Sequence, residues 1–119
     1  GTGNEVDMEQ ILNWNPDVIL FAPGSIYDTV ADNENWQTIT AIKEGNYYEV
    51  PFGPYNWMGF PPSVQRLLGM QWMAAVLYPD AADYDLYEAA SAYFELFYHC
   101  ELTEAQFAAL TAHSVIKAA

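Results

Sequence analysis

Two short stretches hold most of the side chains in this sequence that could recognise a ligand. One is Pro23-Gly24-Ser25-Ile26-Tyr27; the other runs Phe52-Gly53-Pro54-Tyr55-Asn56-Trp57-Met58-Gly59-Phe60, with Arg66 a few residues beyond. The rings of Tyr27, Phe52, Tyr55, Trp57 and Phe60 offer flat faces suited to a macrocycle or a catecholate, and a phenol or indole face also attracts cationic groups. Ser25 and Asn56 add hydrogen-bonding groups, and Met58 adds a soft, adaptable contact. Arg66 is the sole arginine; it could clamp a carboxylate, phosphate or oxyanion, and the positive end of a helix starting there would assist it. Plainer readings stand beside these. Loop aromatics also fold back onto their own domain, where Trp57 would plug the end of a sheet. Arg66 could equally pair with a surface carboxylate, an interaction worth about 1 kcal/mol or less.

Catalytic arrangements are missing from the sequence. Ser25 lies in Pro-Gly-Ser-Ile-Tyr, which lacks the flanking glycines of a nucleophile elbow, and no glycine-rich phosphate loop occurs. His99 and His113 do not have ligand spacing, so no metal site is expected. Cys100 is the only cysteine, which rules out an intramolecular disulfide. Because it follows the aromatic run from Tyr93 to His99, it is expected in or near the core. The reading is therefore of a protein that is not an enzyme and carries no cofactor.

Charge narrows the partners. Sixteen acidic residues face only Lys43, Arg66 and Lys117, for a net charge of −13. Nucleic acid needs clustered basic residues, and an anionic membrane surface would repel this chain. No run reaches the ~18 apolar residues of a membrane helix, so membrane insertion is not expected. The N-terminal residues contain neither the basic nor the apolar region of a signal peptide.

Local patterns supply the elements that would position the two stretches. Asp7 with Gln10 forms a capping box for a short helix whose apolar face is Met8, Ile11 and Leu12; Asn15-Pro16 stops it. Asp17 to Phe21 reads as a short buried strand and Tyr47 to Val50 as the next. Between them a helix is expected over about Glu34 to Glu44, with Gly45 closing it in the left-handed conformation. Strand, helix, strand implies a parallel pair joined by a crossover. Pro61-Pro62-Ser63 sets up a nearly all-apolar helix from Val64 to Leu77, expected to be buried on most sides. A helix over Tyr84 to His99 and a last one capped by Thr103 and Gln106 complete the chain.

Four segments bear a resemblance to the substrate-binding proteins of ABC importers for siderophores, haem and cobalamin. They are Met8-Glu9-Gln10-Ile11-Leu12-Asn13-Trp14-Asn15-Pro16-Asp17-Val18-Ile19, then Trp36 through Pro51, then Pro61-Pro62-Ser63 leading to Leu68-Gly69-Met70-Gln71-Trp72-Met73, then Leu77-Tyr78-Pro79-Asp80. Together they span roughly residues 8 to 80, and Tyr93 to Tyr98 resembles the iron-complex subgroup. The resemblance implies an α/β fold: a three-layer α/β/α lobe with a small, mainly parallel sheet, one half of a two-lobed binding protein. Residues 1–119 are read as a single domain, the C-terminal lobe, with the first lobe and the connecting helix outside it.

The function implied is capture of an iron chelate or related metal complex, of the siderophore, haem or corrinoid class. The ABC permease would be engaged through the intact protein, and the location extracytoplasmic, in the periplasm or lipid-anchored at the surface. In open α/β sheets ligands sit beyond the carboxyl ends of the strands, which puts Tyr27, Tyr55, Asn56, Trp57 and Arg66 forward as the ligand-binding set. Where relatives carry a basic residue before the paired prolines this chain has Phe60, which weighs against a strongly anionic siderophore. An interaction module whose aromatic loop binds a protein or carbohydrate is the alternative.

Overall fold

The computed structural model of the chain describes residues 4–59 and 62–114. It divides into two compact units, Gly1–Tyr48 and Glu49–Ala119. The fold class is the expected one, α/β with a small parallel two-stranded sheet and helices.

In the first unit, α1 (Met8–Trp14) begins with the expected capping box. The Asp7 carboxylate accepts from the Gln10 backbone N–H at 2.8 Å, and the Gln10 side chain accepts from Asp7 N–H at 3.0 Å. These bonds satisfy backbone donors that a helix start leaves without intrahelical partners. Strand β1 (Ile19–Phe21) pairs with β2 (Tyr47–Glu49), and the Ile19 N–H donates to the Asn46 carbonyl at 3.1 Å. The short helix α2 (Tyr27–Val30) follows β1. The core is Phe21, Val30, Ile39, Ala41 and Ile42, with Met8, Ile11, Ile19, Tyr27, Trp36 and Tyr47 packed against it.

The continuous helix expected over 34–44 is instead a 3-10 turn, Trp36–Thr38, and a separate α3 (Thr40–Lys43). The break is at Ile39, which is extended at φ −80°, ψ 134°. Its cause lies in the chain after α1. Thr40 N–H donates to the Asn15 side-chain oxygen at 2.8 Å and Ala41 N–H to the Pro16 carbonyl at 3.0 Å. Those donors are taken by tertiary partners rather than by a preceding helical turn. Gly45, at φ +73°, turns the chain into β2 as expected.

The second unit contains α4 (Gln65–Leu77), α5 (Leu86–Tyr98) and α6 (Glu104–Leu110), with α4 packed along α5. Asp85 caps α5 through the Glu88 N–H, and Thr103 and Gln106 form the expected capping box on α6. Helix α4 differs from expectation. It buries Gln65, Leu68, Gly69, Trp72, Ala75 and Val76, spaced on one face by threes and fours, whereas Leu67 and Met70 are exposed. The polar Gln65 therefore lies inside and two large apolar side chains lie outside. Cys100 is exposed rather than in the core. Helix α5 ends at Tyr98, and His99 takes the left-handed conformation at φ 54°, which carries Cys100 off the apolar helical face.

Residues 111–114 close this unit. Trp72 Nε1–H donates to the Ser114 carbonyl at 2.7 Å, Glu49 N–H donates to the His113 carbonyl at 2.9 Å, and the Ser114 hydroxyl donates to the Glu49 carbonyl.

Candidate functional site

Of the residues expected to bind ligand, Tyr27 lies in the first unit and Tyr55, Asn56, Trp57 and Arg66 lie in the second. Tyr27 is half-buried. Its ring meets Phe21 edge-on at 6.2 Å and tilts against Tyr47 at 5.3 Å, so it belongs to an aromatic cluster in its own core.

The loop after β2 is tightly tied to itself. Trp57 N–H donates to the Pro51 carbonyl at 3.1 Å and Gly53 N–H to the Tyr55 carbonyl at 3.0 Å; Phe52 and Asn56 form an antiparallel bridge. The Asn56 side-chain oxygen accepts from the backbone N–H groups of Met58 (2.9 Å) and Gly59 (2.7 Å). Asn56 thus uses its carbonyl to shape the turn, as this residue type does in tight turns. Gly53 has φ +151°, a conformation open to glycine, and it precedes a cis Pro54.

Trp57 does not offer a face to solvent. It is 0% exposed, and its indole N–H points inward to donate to the Gly53 carbonyl at 3.0 Å. Direct stacking on a ligand, expected of Trp57 from sequence, gives way here to the plainer role of a buried plug under the loop. The exposed rings of the loop are Phe52 and Tyr55, 58% and 48% exposed. Phe60, also expected to contribute a ring, lies outside the described residues.

Arg66 is exposed in the first turn of α4, with its backbone N–H bonded to the Ser63 carbonyl at 3.2 Å. Among the described residues no carboxylate pairs with its guanidinium. An arginine at the positive end of a thirteen-residue helix is suited to an anion.

Gln65 was not foreseen. It sits at 0% exposure behind the loop, donating from its amide to the Gly53 carbonyl at 3.1 Å and accepting at Oε1 from Tyr98 OH (2.6 Å) and Tyr93 OH (3.5 Å). An amide side chain at the start of a largely apolar helix was the available signal. A cavity of about 790 Å³ adjoins the loop, walled by Phe52, Pro54, Phe94, Tyr98, Leu102 and Leu110. Among the described residues no cluster of His, Cys, Asp and Glu could hold a metal ion, and no helix is long and apolar enough to cross a membrane.

Such a site offers ring faces, amides and one guanidinium, a set suited to holding a solute. No family model matches the chain. It is 33% identical to an ABC transporter solute-binding protein from Sulfurospirillum deleyianum, at a TM-score of 0.85 over 91% of this chain and 33% of that one. A periplasmic solute-binding protein from Veillonella parvula matches at 30% identity and a TM-score of 0.83, over 94% of this chain and 36% of that one. Over most of its length the chain thus resembles one part of ABC-transporter solute-binding proteins in both sequence and fold. Among curated proteins, the molybdate-binding protein MolA of Haemophilus influenzae is 31% identical over 97 residues, covering 79% of this chain and 27% of that protein. The chain spans about a quarter to a third of the length of these relatives. All three are described as binding proteins, and none is described as binding a siderophore, haem or cobalamin, the subgroup the sequence resembled.

Proposed function

We propose that the chain is the C-terminal lobe of an extracytoplasmic solute-binding protein that delivers its cargo to an ABC permease, and that the cargo is a metal oxyanion. The lobe supplies one wall of a ligand site and performs no chemistry. The observation that carries the reading is the likeness to solute-binding proteins over more than nine-tenths of the chain, at 30 to 33% identity. An oxyanion is favoured over a macrocycle on two grounds. Burial of Trp57 removes a broad stacking face, while Arg66 stands exposed at a helix start. The molybdate-binding relative adds support. Arg66 would form charge-assisted hydrogen bonds to the anion, and Tyr55 and Asn56 would fix its position.

An iron chelate is the second reading, favoured by the exposed rings of Phe52 and Tyr55. An interaction module binding protein or carbohydrate draws on the same rings but leaves the likeness to binding proteins without a role. Calorimetric titration of the intact parent protein with sodium molybdate and with a ferric catecholate separates these readings. Saturable molybdate binding is expected. Binding of the catecholate alone would replace the oxyanion with the chelate, and binding of neither would remove the metal-cargo reading.

A further inference from the structure

We infer that Gln65 is the positioning residue of the ligand loop, holding Tyr55 and Asn56 in place from behind through the Gly53 peptide; the inference rests on the reading above. Three observations carry it. Gln65 is fully buried yet polar, a placement that is costly unless every polar atom is matched. Its amide N–H and the Trp57 indole N–H converge on one acceptor, the Gly53 carbonyl, at 3.1 and 3.0 Å. On its other side the same residue, Gly53, donates its N–H to the Tyr55 carbonyl at 3.0 Å, next to the Phe52–Asn56 bridge.

The Gly53 peptides are therefore held between a buried clamp and the exposed face of the loop. The clamp is anchored in turn. The Gly53 carbonyl can only accept, so it selects the NH2 end of the amide, and Tyr98 OH, at the last residue of α5, then donates to Gln65 Oε1 at 2.6 Å. An amide is suited to this position because it donates to Gly53 and accepts from Tyr98 at once. A carboxylate can only accept, and an apolar side chain does neither. Pre-organisation of this kind raises affinity by removing the cost of ordering the loop on binding.

The test pairs a ligand measurement with a spectroscopic one. Gln65→Met in the intact protein should weaken molybdate binding about tenfold, the scale of one or two lost hydrogen bonds. In the same variant the Trp57 indole N–H resonance should move while those of Trp14 and Trp36 stay. Gln65→Glu should bind poorly at neutral pH and regain affinity as pH falls, because only a protonated carboxyl donates to Gly53. Urea unfolding of Gln65→Glu over the same pH range separates this from the general cost of a buried carboxylate: affinity that recovers only in step with stability would overturn the positioning role. If Gln65→Met fails to fold, Tyr98→Phe carries the test, with a smaller loss of affinity and the same displaced indole signal. A moved indole resonance with molybdate affinity unchanged would overturn the positioning role and leave the cargo reading standing. If wild-type protein binds no molybdate the cargo reading fails, and the inference is then judged on the indole signal, which overturns it by staying still.

Discussion

Gly69 of α4 lies directly against the Trp57 carbonyl, so close that a Cβ built on Gly69 would penetrate that backbone oxygen. The carbonyl carbon of Trp57 and the Met58 sulfur would also stand 2.8 and 2.9 Å from it, tighter than ordinary contact. A flexible side chain could swing aside, but the backbone oxygen belongs to a loop fixed by its own hydrogen bonds. Gly69→Ala should therefore cost about 3 kcal/mol, the upper end of what overpacking a core costs. Urea unfolding measures it; a loss below about 0.5 kcal/mol, typical of a neutral surface change, would show that the loop yields easily.

Trp57 and Tyr55 are two residues apart and should respond oppositely. Trp57→Ala empties a fully buried site and should destabilise by about 3–5 kcal/mol, as large-to-small aromatic changes in cores do. Tyr55→Ala, at a half-exposed ring, should leave stability within about 0.5 kcal/mol. In the intact protein it should lower molybdate affinity severalfold. Paired denaturation and titration curves decide the matter. An unaffected affinity in Tyr55→Ala would take the ring out of the site.

Much of this architecture was legible in local chemistry. The capping boxes of Asp7 with Gln10 and Thr103 with Gln106, and the turn at Gly45, depend on residues within a few positions of one another. What failed depended on partners far away in sequence. The helix break at Ile39 follows from Asn15 and Pro16, some 25 positions earlier for the Asn15–Thr40 pair, claiming the donors of Thr40 and Ala41. Trp57 read as exposed because loops usually are, but its burial depends on α4, which approaches the loop at Gly69. Gln65 was not foreseen because its partners, Gly53 and Tyr98, lie 12 and 33 residues away. That an aromatic loop follows β2 was visible; which of its rings faces outward was not.

Arg66 should matter for anion binding and little for folding. Arg66→Gln keeps length and some hydrogen bonding but removes the charge. Molybdate affinity should fall roughly tenfold or more, as expected for the loss of a hydrogen bond to a charged group. Stability should stay within about 0.5 kcal/mol, since the side chain is exposed. Salt dependence gives a second reading. Wild-type affinity should weaken as ionic strength rises through screening, and the variant should show a flatter response. Equal salt slopes in the two proteins would place the anion elsewhere.

Tyr93 makes the stability of the second unit sensitive to alkali. Burial, first, and the neighbouring Tyr98 hydroxyl, second, push its phenol well above the usual tyrosine value. The folded protein therefore keeps this proton over a range in which the unfolded chain releases it. Below about pH 10, the ordinary tyrosine pKa, both states are protonated and the contribution of Tyr93 is fully present. Above that, the unfolded state binds fewer protons, and stability declines as pH rises toward the raised folded-state value. The slope from this one group is at most about 1.4 kcal/mol per pH unit. Urea unfolding between neutral pH and pH 11 should show the decline beginning near 10, and Tyr93→Phe, which has no proton to lose, should flatten it. A variant whose alkaline slope matched the wild type would assign the effect to other groups.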